Sequence, residues 1–216
     1  MLLNMVTRIL AKLKLTFYLR GSSCKLISKI WQLKSNSVVF DLGANVGVFT
    51  QLFSEIGCTV FAFEPHPGAF KELSNNCARK KNVFLFNVAV GDRSGDAPLF
   101  FHVNGNQDDL QFSQGTSLID SKPNVDVNKA ISCKVQSIAS IVDMVDCIDF
   151  MKIDVEGAEL AIINYLLSDP VRLMKIKFIS CETHEKKWVN LLDETASIVS
   201  RVNRSNFSNK FDFSWR

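Results

Sequence analysis

Val38-Val39-Phe40-Asp41-Leu42-Gly43-Ala44-Asn45-Val46-Gly47-Val48-Phe49-Thr50 begins as a hydrophobic strand closed by an acidic residue. It breaks into a turn with glycines at 43 and 47, then restarts as an apolar-periodic helix. Glycines there let a ligand approach the backbone, and a helix N-terminus offers N–H groups without intrahelical partners. The stretch reads as a turn that receives a nucleotide-bearing ligand.

Outward from it, strand-like and helix-like segments alternate. Strands are expected at Val38–Leu42, Thr59–Glu64 and Val83–Val90, with helices at Val46–Ile56 and Pro67–Lys80 between them. An extra strand follows at Ala97–Val103, then a polar stretch over 104–130 and a strand at Ile131–Val135. A short helix over Ile138–Val145 leads back into the alternation: strand Ile148–Ile153, helix Glu156–Leu167, strand Ile176–Cys181, helix Glu185–Asn203. Only Ser205–Arg216 is left for a closing strand, around Phe207, Phe211 and Phe213. This predicts an α/β, Rossmann-like fold with a mostly parallel sheet and helices on both faces. It is short at the C-terminal edge, and an open edge invites cover by another subunit.

Charge divides the chain. Residues 1–40 carry Arg8, Lys12, Lys14, Arg20, Lys25, Lys29 and Lys34 and no acid, so against a total of +3 the rest is mildly acidic. That argues against a nucleic-acid groove on the main body. Residues 1–35 therefore read as a basic, helical extension, and 36–216 as the main domain. On a helix, Leu2, Leu3, Val6, Ile9, Leu10, Leu13 and Phe17 share a face, with Arg8 and Lys12 opposite. Such a helix either packs on the domain with its lysines outward, or lies on an anionic membrane surface or over a substrate site. Charges at 8, 12 and 14 interrupt any span of roughly 20 residues. Six scattered cysteines without a CxxC pair suggest reduced thiols and a cytoplasmic protein, associated at most with a membrane surface.

Asp41, Glu64 and Asp154 each close a strand, and in open α/β sheets ligands bind beyond the carboxyl ends. Glu64 lies about 20 residues past the turn, where an acid can bind ribose hydroxyls of NAD, FAD or S-adenosylmethionine alike. Asn45 replaces the second glycine of the dinucleotide fingerprint, and Asp41 would repel a diphosphate while suiting an ammonium and a sulfonium. The charges favour S-adenosylmethionine.

VVFDLGANVGVFT (38–50), VFAFEPHPGAFKEL (60–73), NVAVGDRSG (87–95), GTSL (115–118), FMKIDVEGAEL (150–160) and CETH (181–184) together resemble the FkbM family of S-adenosylmethionine-dependent methyltransferases. The resemblance implies a class I methyltransferase fold. It implies that Asp41, Gly43, Ala44, Asn45 and Gly47 hold the cofactor's methionine end. Glu64 would bind the ribose, Asn87 and Ala89 would border the adenine, and Asp154 would lie beside the methyl group. It also implies O-methylation of a small-molecule or glycan acceptor.

Within that frame His184 is the expected base, flanked by Asp154 and Glu182, since histidine titrates near neutrality. His66 would shape the ribose pocket, and His102 would reach the site only if its region folds over. Thr116 and Ser117 are expected to contact the acceptor. Asp154, Glu182 and His184 would suit a hard cation, but the resemblance requires none and no metal is expected. A nicotinamide-dependent oxidoreductase and an inactive cofactor-binding module stand as alternatives.

Overall fold

The computed structural model describes residues 2–185 and 188–215, with backbone alone for residues 2–4. Two helices come first, α1 (Leu2–Tyr18) and α2 (Cys24–Gln32). β1 (Val38–Leu42), α3 (Val48–Ile56), β2 (Thr59–Phe63), α4 (Pro67–Cys77) and β3 (Val83–Phe86) then follow the expected rhythm. The expected strand over Val83–Val90 is interrupted. Asn87 and Val88 leave the sheet, and β4 (Ala89–Gly91) joins β5 (Gly95–His102) and β6 (Val125–Ser137) in a separate three-stranded sheet, ordered β4-β6-β5. α5 (Ile138–Val142), β7 (Phe150–Ile153), α6 (Glu159–Ser168), α7 (Pro170–Lys175), β8 (Ile179–Cys181), α8 (Leu192–Arg204) and β9 (Phe211–Asp212) complete the chain. Part of the helix expected from Glu185, Lys186 and Lys187, lies outside the described residues, as does Arg216.

The main sheet runs β3-β2-β1-β7-β8-β9, and every pair in it is parallel. Strand alternation sends its side chains into two cores. Phe40, Leu42, Met151 and Ile153 pack under α5, α6 and α8. Val39, Val60 and Phe150 pack under α1, α2 and α3. Helices therefore cover both faces, as expected of a parallel sheet.

The C-terminal edge is abbreviated to the two residues of β9. The chain covers this edge itself. The Ser22 hydroxyl donates to the Ser214 carbonyl at 2.7 Å, the Ser23 N–H to the Ser214 hydroxyl at 2.7 Å, and the Ser23 hydroxyl to Asp212. Lys25 Nζ donates to the Phe211 carbonyl at 2.7 Å.

α1 docks on the domain, but by the opposite face from the one a packed helix was expected to use. Ala11, Leu15 and Leu19 are buried, and Lys12 turns inward to donate to the carbonyls of Trp31 and Leu33. The Val6, Ile9, Leu10, Leu13 and Phe17 face is exposed. The side chains of Leu2 and Leu3 lie outside the described residues. No described helix is long and apolar enough to cross a membrane.

Candidate active site

At the carboxyl ends of β1, β2 and β7 lies a cavity of about 310 Å³, within the usual range for small-ligand sites. Its lining includes Gly43, Asn45 and Glu64, the apolar Val88, Ala89, Val90 and Leu99, and the acids Asp154, Glu156 and Glu182. Phe49 and Trp215 close an end, with ring centroids 4.7 Å apart. Thr116 and Ser117 also line it.

Glu64 is 5% exposed and fixed by two backbone donors, Asn45 N–H at 2.7 Å and His66 N–H at 2.8 Å. Each oxygen accepts one, leaving each a lone pair for a ligand. Burial raises its pKa to about 7, against those two hydrogen bonds and the charge of Lys152.

The glycines of the turn serve the protein's own packing as well as a ligand. Gly43 has φ +76°, and a Cβ there would sit 1.7 Å from the Asp154 carbonyl oxygen. Gly47, the N-cap of α3 at φ +87°, abuts Leu73 of α4. Asn45 also adopts positive φ, at 50°, a region that asparagine enters more readily than most residues. Its side-chain amide donates to Ser113 at 2.8 Å.

That last contact shows where the long polar stretch goes. Residues 104–124 fold back over the site rather than out into solvent. Ser113–Gly115 forms a 3-10 turn, Ser117 bridges to Phe100, and Gly68 N–H donates to the Gln107 carbonyl at 2.9 Å. His66 Nδ1 accepts from Ala69 N–H at the start of α4, so Nε2 carries the proton and donates to the Asn106 carbonyl at 3.1 Å. His66 is thus a clip between α4 and the polar stretch. His102 stacks on Phe112 and lines a second cavity of about 330 Å³, which shares Gln114 and Glu156 with the first.

Several sequence-predicted residues stand behind the wall rather than on it. Asp41 is fully buried, accepting from the Thr50 hydroxyl at 2.6 Å and facing Lys152 Nζ at 3.3 Å. The ammonium that its charge suits is therefore supplied from within. Asp41 and Lys152 are partners in the β1–β7 register. Ala44 N–H donates to the Phe63 carbonyl, and Ala44 packs with Leu73 and Cys77. Asn87 donates to the Glu64 carbonyl at 2.8 Å, pinning the chain between β2 and Pro65. Ala89 does line the cavity.

Lys152 is 1% exposed and central. It reaches Asp41, Asp154 Oδ2 at 3.2 Å and the Gly43 carbonyl at 3.0 Å. Burial disfavours its charge, but the two aspartates outweigh this and raise its pKa.

His184, 3% exposed, lines the second cavity rather than the first. Nε2 is 3.3 Å from Glu156 and Nδ1 is 3.2 Å from Glu159. Burial opposes its charge, yet these carboxylates prevail and push its pKa upward. Glu156 moves the opposite way: burial would raise its pKa, but His184 and Lys122, 2.7 Å away, lower it. Glu156 holds φ +58°, an uncommon backbone for a glutamate. Its carbonyl accepts from the Ser117 hydroxyl at 2.7 Å, anchoring the polar stretch. Asp154, Glu182 and His184 each present an atom within 4.8 Å of the others, a spacing that would admit a cation. Charged as imidazolium, His184 would have to lose a proton before it could bind one.

Among residues the sequence did not single out, Lys152 had a visible signal, a lysine inside an apolar strand. Phe49 and Glu156 lie inside the VVFDLGANVGVFT and FMKIDVEGAEL stretches, whereas Lys122 and Trp215 carry no signal beyond their place in the fold.

The Methyltransferase FkbM domain profile matches residues 41–207. The hexuronic acid methyltransferase AglP of Haloferax volcanii is 23% identical over 198 residues, 89% of this chain and 76% of its own length. The 31-O-demethyl-FK506 methyltransferase FkbM of Streptomyces tacrolimicus is 39% identical over 75 residues, 33% of this chain and 28% of its own. Of solved structures, a precorrin-6y C5,15-methyltransferase from Geobacter metallireducens aligns with a TM-score of 0.41 at 15% identity, over 82% of this chain and 66% of that one.

Proposed function

Because the chain belongs to the FkbM family of methyltransferases, we propose that it moves the methyl group of S-adenosylmethionine to a hydroxyl of a small molecule or glycan. The observation that carries this reading is Glu64, a carboxylate held by two backbone N–H groups on the wall of a cavity that Gly43 and Asn45 also line. The residues present fit the cofactor. Glu64 would accept from the ribose hydroxyls, Ala89, Val88 and Leu99 would flank the adenine, and Gly43 would pass its backbone along the methionine end. When bound, S-adenosylmethionine supplies a methyl group already activated on a sulfonium. The acidic wall of Asp154, Glu156 and Glu182 suits that cation and disfavours the pyrophosphate of a nicotinamide cofactor.

The chain's own task is then to align an acceptor hydroxyl and take its proton. In this reading the proton goes to the carboxylate pair Asp154 and Glu182 on the cavity wall. His184, held charged by Glu156 and Glu159, acts as a positioning residue that keeps this cluster of acids together. Thr116, whose buried hydroxyl has no hydrogen-bond partner among the described residues, is assigned to the acceptor, while Ser117, held between the Glu156 carbonyl and the Ile119 N–H, fixes the segment that presents it. Both names of the relatives, a hexuronic acid methyltransferase and an O-demethyl-FK506 methyltransferase, favour oxygen as the acceptor atom.

Isothermal titration tests the proposal. S-adenosylhomocysteine is expected to bind in the micromolar range while NAD(P) gives no heat; the reverse result would overturn it. Glu64→Gln should weaken S-adenosylhomocysteine by about 1.5–3 kcal/mol, roughly 10- to 150-fold. Unchanged affinity in a folded variant would remove Glu64 from the site. The wild type carries a further signature. Ribose binding uses the ionised carboxylate, whose pKa burial raises to about 7. Affinity should be level above that pH and fall about tenfold per unit below it. Affinity independent of pH between 5 and 8 would show that no such proton is displaced.

A further inference from the structure

The outward face of α1 is apolar along its described length. Met5, Val6, Ile9, Leu10, Leu13 and Phe17 are each between 43% and 59% exposed. Single exposed apolar residues are ordinary, but six sharing one helix face form a patch that marks an interaction surface. The fold does not need them, because Ala11, Leu15 and Leu19 already seat the helix.

From this face and its surroundings we propose that α1 lies in the surface of an anionic lipid membrane. Charge selects this occupant. Residues 1–40 hold seven basic residues and no acid. Lys14 is exposed, one turn beyond Leu10 on the rim of the apolar face, and the Arg20 guanidinium sits 3.8 Å from the Phe17 ring centroid. A second copy of the chain would bring the same cations against one another, whereas anionic headgroups complement them. Glu55, which shares a groove with Lys14 and Phe17, is paired with Lys80 at 3.3 Å.

The rim also carries an amphipathic aromatic. Trp31 is 41% exposed, and its indole N–H donates to the Thr16 hydroxyl at 3.1 Å. Lys12 Nζ lies 5.8 Å from its ring centroid. An apolar stripe, cationic margins and a boundary tryptophan describe a helix lying in the plane of an interface. At 17 residues α1 would cover about 25 Å of that plane.

Co-sedimentation of the full chain with phosphatidylcholine vesicles, with and without phosphatidylserine, tests the proposal. Binding is expected only with phosphatidylserine, weakening as salt rises. Leu10→Gln/Leu13→Gln should weaken it about tenfold or more, and Lys14→Glu/Arg20→Glu by a similar factor, with unchanged melting temperatures. No binding, equal binding to neutral vesicles, or binding insensitive to both double variants would overturn it. So would a concentration-dependent dimer that Leu10→Gln/Leu13→Gln dissolves in the absence of vesicle binding, which would assign the face to a second copy.

Discussion

Lys152→Met is expected to lower the stability of the folded protein by about 3–5 kcal/mol, the usual result of removing one partner from a buried ion pair. Methionine fills most of the same volume, so the loss is electrostatic rather than a cavity. It leaves Asp41, at 0% exposure, with Thr50 as its remaining partner, and strips the Gly43 carbonyl of its donor. Against a total stability of about 5–15 kcal/mol this is a large fraction. Urea denaturation should show a lower midpoint at unchanged slope. Adding Asp41→Asn should recover part of the loss, because the stranded charge is then gone. A midpoint close to the parent's would mean that Asp41 and Lys152 do not depend on one another.

Gly43→Ala should be about as severe for a different reason. The new methyl would overlap the Asp154 carbonyl oxygen, a backbone atom that moves only if the ends of β1 and β7 part. Positive φ adds its own cost for a residue with a Cβ. A loss of at least about 2 kcal/mol is expected, together with failure to bind S-adenosylhomocysteine. Gly47→Ala is the comparison. There the obstructing atom is Leu73 Cδ1, the end of a flexible side chain, so the backbone strain remains but the collision can relax. If Gly43→Ala melts no lower than Gly47→Ala, the packing of the turn against Asp154 is not what requires glycine.

The strands and helices around the turn were legible because their periods are clean: Val39 and Phe40 face opposite cores, and α3 and α4 begin where Gly47 and Pro67 allow. Short elements were not. α7 has six residues, too few for a helical period, although Asp169 as N-cap and Pro170 at the first position mark its start. The identity of Glu64 as a cavity residue was readable from spacing. The role of Asp41 was not, because its partner lies 111 residues away and the register of β1 against β7 is written in no local pattern. α1 misled for a related reason. The wider apolar stripe was expected to face inward if the helix packed, yet the seam is made by Ala11, Leu15 and Leu19, with Lys12 tucked beside Trp31. Trp215 reaches the cavity only because β9 carries it there.

The clasp between Ser22–Lys25 and Phe211–Ser214 has a consequence for how the molecule is made. Ser23 and Asp212 are 189 positions apart, so the first two helices emerge from the ribosome long before their partners exist. Trp215, which closes one end of the cavity, follows every other part of that wall in sequence. Most of the nascent chain can collapse as it appears, with β8 as a bare edge and α1 uncovered. The growing protein is therefore exposed to aggregation and chaperones until β9 arrives. The cavity wall, too, is complete only once Trp215 has been added.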